Sequence, residues 1–136
     1  ARRASHNIGR QRAELAAKLH LHPLAIAYLE QGLAGNWPFS ASISAALEGH
    51  VLGAPRAAVL AGVFYAGISG QLAAAMKILR LGQNACQALL TEMLSRAPAL
   101  IAAAEQVELD EIGWFNPWLD IAAARHEGAD SRLFIS

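Results

Sequence analysis

The chain has 136 residues, of which 54% are hydrophobic and 16% charged, with 11 basic residues against 11 acidic ones. This is one domain's length, and it is too apolar for a disordered chain. The neutral balance gives no support to a nucleic-acid-binding role, which needs a basic excess. So little charge leaves two outcomes: much of the chain is buried within itself, or part of its surface meets another protein.

The abundance of alanine and the lack of sustained alternation predict an all-α fold, a helical bundle over residues 1–136. Arg2, Arg3, Arg10, Arg12 and Lys18 crowd the first helix, and Ile8, Leu15 and Leu19 fall on one side of it. Pro23 suits the first turn of a second helix that runs toward Gly32. GNWPFS, residues 35–40, reads as a turn, and Ser40 or Ser42 can cap a third helix ending near Gly53.

Residues 57–76, AAVLAGVFYAGISGQLAAAM, contain no charge. A bilayer span needs about 20 apolar residues, so a membrane helix is one reading. Ser69, Gln71, three glycines and many weakly hydrophobic alanines favour the other, a long buried central helix. Gly62, Ala66 and Gly70 would let a neighbouring helix approach closely. Cys86, Leu89, Leu90, Met93 and Leu94 then form an apolar stripe. Pro98 is expected to kink or restart the helix. Leu100, Ile101, Ala104 and Val107 continue a helical pattern, and LDEIGWF reads as an irregular link. Asn116 and Pro117 look like a cap and first position, with Trp118, Ile121, Ala122 and Arg125 on one face and Gly128 as the stop.

Chemistry is sparse. His20 and His22 stand two apart, a spacing that does not bring two rings to one helix face. His50 is isolated, and His126 beside Glu127 is a weak ligand pair. No H-E-x-x-H, no phosphate loop and no G-x-S-x-G occurs. Asp110 and Glu111 fit a solvated turn. Cys86, the sole cysteine, excludes an intrachain disulfide and agrees with a reducing cytoplasm. On the apolar stripe it reads as an inert core thiol. No apolar core follows the basic start, so no signal peptide is expected. No catalytic residue and no metal ligand is assigned. The chain opens on what looks like mid-helix sequence, and we expect a longer parent.

The last segment, RHEGADSRLFIS, places Leu133, Phe134 and Ile135 almost at the terminus. Leaving such side chains in water forgoes roughly 1.5–3 kcal/mol each. Either this chain's own core covers them, or residues 125–136 are a docking tail ordered by a partner. The residues alone leave both open.

LDIAAARHEGADSRLFIS resembles the C-terminal signature of the urease accessory protein F (UreF) family, L-D-I-A-[SA]-M-R-H-E-x-x-x-S-R-L-F. LGQNACQALL is similar to the family's L-G-Q-x-x-G-Q-x-L-L, through Gly82, Gln83 and Gln87. RRASHNIGR resembles R-x-x-x-x-x-G-R, through Gly9 and Arg10. The resemblance implies an all-α, non-enzymatic, cytoplasmic protein that helps assemble the nickel centre of urease. It implies binding of UreD/UreH, recruitment of the GTPase UreG, action on the urease apoprotein and homodimerisation. It implies no nucleic acid, no membrane, and no cofactor of its own, nickel being handled by the partners. The resemblance implies that Arg132 carries the family's recruiting role and that Arg125, His126, Glu127, Ser131, Leu133 and Phe134 join it as partner-binding residues. Departures stand at Ala124, where the family usually has methionine, at Arg80 for proline, and at Cys86 for glycine. Gly128, Ala129 and Asp130 replace bulkier residues. The family's N-terminal P-V-G-x-[FY]-x-[YF]-S-x-G-L-E segment is not in the sequence, so the chain is expected to be a C-terminal portion.

Overall fold

The computed structural model describes residues 2–113 and 116–127. Those residues form seven α-helices and no strand: α1 (Arg2–His20), α2 (Pro23–Leu33), α3 (Ala41–Val51), α4 (Arg56–Ile78), α5 (Gln83–Ser95), α6 (Ala97–Ala104) and α7 (Pro117–Glu127). A single 3₁₀ turn, Leu109–Glu111, precedes α7. The all-α expectation holds. The chain divides into two compact units, Ala54–Glu111 and the residues on either side of it.

In the unit that holds α1, α2 and α3, small side chains set the packing. Ala13, Ala16, Ala17, Ala25, Tyr28 and Phe39 are buried, with Leu29 and Leu47 against them. Alanine leaves little between two backbones, so helices can approach closely. Gly9 carries this furthest. A Cβ there would lie 2.5–2.7 Å from backbone atoms of Ser40, at the start of α3. Gly32 makes similar room for the Phe39 ring. Ile8, Leu15 and Leu19 do share one side of α1, but that side faces solvent, at 48%, 52% and 63% exposure. The core of this unit is therefore built from the alanine and glycine side of α1, because α2 and α3 pack there.

The starts of α2 and α3 are capped, one locally and one from α1. His22 is the N-cap of α2, its Nδ1 accepting from the Leu24 N–H at 3.2 Å, and Pro23 follows at the first helical position. Leu21 joins α1 to α2 at φ +49°, a left-handed conformation that costs a non-glycine residue about 1–2 kcal/mol. Ser40 holds the N-cap position of α3 without a side-chain capping bond. The Ser5 hydroxyl of α1 instead accepts from the Ala41 N–H at 3.2 Å. Beneath it, the Tyr28 hydroxyl donates to the Pro38 carbonyl at 3.3 Å and accepts from the Ser40 N–H at 3.4 Å. The Tyr28 and Phe39 rings meet edge to face, with centroids 5.7 Å apart. This fixes the 34–40 turn over the core.

The other unit corrects one expectation. α4 forms over its expected span, but none of its residues is buried, so it is not a buried central helix. The reason is coverage. Within this unit α4 meets α5 and α6, helices of 13 and 8 residues, which shield one strip of a 23-residue helix. Gly62, Gly67 and Gly70 have no atom within 4 Å of a built Cβ. By length and composition α4 could cross a membrane, a test that core helices of soluble proteins also pass. α5 ends at Ser95, and the chain restarts as α6 at Ala97, with Pro98 in its opening turn. Arg56 and Glu105 pair at 3.4 Å, tying the start of α4 to the end of α6. α6 stops short of Val107, which lies beyond it and is exposed.

Candidate functional site

The three sequence blocks occupy three different settings. Gly9 and Arg10 are neighbours on α1 with different surroundings. Gly9 is buried at the crossing with α3, and its carbonyl accepts from the buried Ser44 hydroxyl at 2.7 Å. Arg10 is exposed and pairs with Glu14 at 2.8 Å, one helical turn on. Arg12, also on α1, pairs with Glu48 of α3. Gly9 thus sits in the fold's interior, and the arginines form its solvated side.

The second block opens α5. Gly82 is the N-cap, in extended conformation, and contributes no side-chain cap. Gln83 and Gln87 lie one turn apart and line a cleft between α5 and α4. Its α4 wall is Tyr65, Ser69, Leu72, Ala73 and Met76, a helical i, i+4, i+7, i+8, i+11 stripe. Of the apolar stripe expected on α5, Cys86 and Leu90 line this cleft, Leu89 is exposed, and Gln87, which the spacing sets away from the stripe, faces α4 beside them. The facing α4 stripe was missed, because only the pairing of the two helices singles it out. Cys86, 5% exposed, closes the floor as the expected core thiol. The Ser69 Oγ is buried without a hydrogen-bond partner. No charged residue lines this cleft, so its chemistry is limited to amide, hydroxyl and thiol contacts.

The third block is carried by α7. Asn116 caps it as expected, its Oδ1 accepting from the Leu119 N–H at 3.2 Å. Asp120 stands in the first turn and Arg125 in the last, each sign matched to the helix dipole, and His126 follows Arg125. Trp118 is 80% exposed, with Leu119 and Ile121 about half exposed beside it. Arg125 is exposed, His126 is half-buried, and Glu127 ends the helix. Among the described residues, α7 pairs with none of α1, α2 and α3. Ser131, Arg132, Leu133 and Phe134, and the stop expected at Gly128, lie outside the described residues.

No ligand set emerges. Among the described residues, no group of three His, Cys, Asp or Glu side chains could hold a metal ion. His22 has a structural task as a helix cap. What the described surface offers is contact: an open apolar flank on α7, an uncovered α4, and exposed arginines on α1.

Comparison with known proteins bears on what such contacts serve. The UreF family model matches residues 1–94, which takes in the first two blocks. The urease accessory protein UreF of Teredinibacter turnerae is 40% identical over 78 residues, 57% of this chain and 35% of that protein. That of an Azoarcus species is 39% identical over 82 residues, 60% of this chain and 35% of its own length. An Arthrobacter UreF is 27% identical over 135 residues, 99% of this chain and 60% of the relative, so that alignment takes in the third block. The chain thus spans about a third of the length of the first two relatives. No solved structure matches it.

Proposed function

The chain belongs to the UreF family, and from that premise we propose that it is part of a non-enzymatic accessory protein that scaffolds nickel insertion into urease. The action is by contact. The parent binds the UreD/UreH protein, recruits the GTPase UreG and presents both to the urease apoprotein, as a cytoplasmic homodimer without a cofactor of its own. Nickel is carried by the partners. The observation that carries this reading is the family match over residues 1–94. The exposed flank of α7 supports it, since Trp118 is an aromatic anchor of the kind that dominates protein interfaces.

On this reading Arg125, His126, Glu127, Ser131, Arg132, Leu133 and Phe134 form the partner-binding tail. Arginine suits that task because its planar fork holds a carboxylate or phosphate through two parallel bonds. Gly9 admits the close α1–α3 crossing, Gly82 opens α5, and Gln83 and Gln87 line the cleft against α4, with Arg10 on the solvated side.

The test is recruitment. Full-length parent carrying Arg132→Ala is expected to lose most of its binding to the GTPase while keeping its helical circular dichroism and its hold on UreD/UreH. Equal recruitment by the variant removes Arg132 from the site. A second reading rests on α4, which is apolar, 23 residues long and unburied: there it spans a bilayer. Full-length parent that stays in solution without detergent rejects that reading.

A further inference from the structure

No further inference is drawn: the strongest candidate, the cleft between α4 and α5 lined by Ser69, Gln83, Cys86 and Gln87, carries nothing, because the unpartnered Ser69 hydroxyl in its wall is itself closed off from solvent and nothing in the structure shows what covers the open apolar face beside it.

Discussion

The Ser44 hydroxyl donates to the Gly9 carbonyl across the α1–α3 crossing at 2.7 Å, from a side chain that is 1% exposed. The bond exists because Gly9 lacks a Cβ. In an open helix interior, Gly→Ala gains about 0.8–1.0 kcal/mol. Here the new methyl would meet the Ser40 backbone at 2.5–2.7 Å, and a backbone cannot swing aside as a side-chain tip can. Overpacking of this kind costs about 1–3 kcal/mol. Gly9→Ala is therefore expected to destabilise the chain on balance, read as a lower urea midpoint at unchanged slope. A raised midpoint would mean that α1 and α3 cross less closely than described.

The α4 glycines should respond with the opposite sign. Nothing lies within 4 Å of a Cβ built at Gly62, Gly67 or Gly70. Gly62→Ala and Gly67→Ala should each stabilise the chain by up to about 1 kcal/mol, because only the helix-propensity gain remains. Thermal unfolding of the two variants checks this. A loss of stability in either would show that a neighbour occupies that face, for instance a second copy in solution.

Arg12 and Glu48 span α1 and α3 with side chains 44% and 27% exposed. At that exposure the attraction is largely screened by water, and a double-mutant cycle with Arg12→Ala and Glu48→Ala is expected to return about 0.2–1 kcal/mol. The coupling should shrink as salt is raised toward 1 M, where the Debye length falls to about 3 Å. A salt-independent coupling well above that range would mark the pair as a buried one.

The helices were legible because their punctuation is local. Pro23, Pro98, Asn116 and Pro117 mark starts by fixed φ or a capping oxygen, and the structure uses all four near the expected places. The packing was not legible, because it depends on which side of a helix finds a neighbour. Ile8, Leu15 and Leu19 mark the obvious apolar side of α1, yet Ala13, Ala16 and Ala17 are the buried ones. Their small volume is what admits α2 and α3. The same limit explains α4: periodicity reports that a face is apolar, not whether a neighbouring helix covers it. Ser5 capping α3 from α1 is a contact across 36 positions that no local pattern announces. For the candidate site, α7 and its cap were readable from Asn116-Pro117, while the α4 wall facing Gln83 and Gln87 needed the pairing of two helices.

Cys86 offers a direct probe of that pairing. It is the chain's sole cysteine, and it lies 5% exposed on α5 against α4. A thiol reacts only when a reagent reaches it, so in the native chain the labelling rate follows the opening of the α4–α5 packing. An aromatic disulfide reagent should therefore label Cys86 much more slowly in buffer than in guanidinium. If α5 opens locally, the native rate will stay insensitive to Gly9→Ala, which weakens the other unit. If the chain opens as a whole, the same variant will speed labelling in proportion to its lost stability, since opening and global unfolding are then one equilibrium. Labelling in buffer as fast as in denaturant would contradict the burial of Cys86, and with it the close seating of α5 on α4. Cys86→Ser adds an independent measure. Placing a hydroxyl where the thiol packs should cost about 1–3 kcal/mol unless it finds a partner. A serine variant as stable as the parent chain would mean that the hydroxyl is hydrogen-bonded in the cleft.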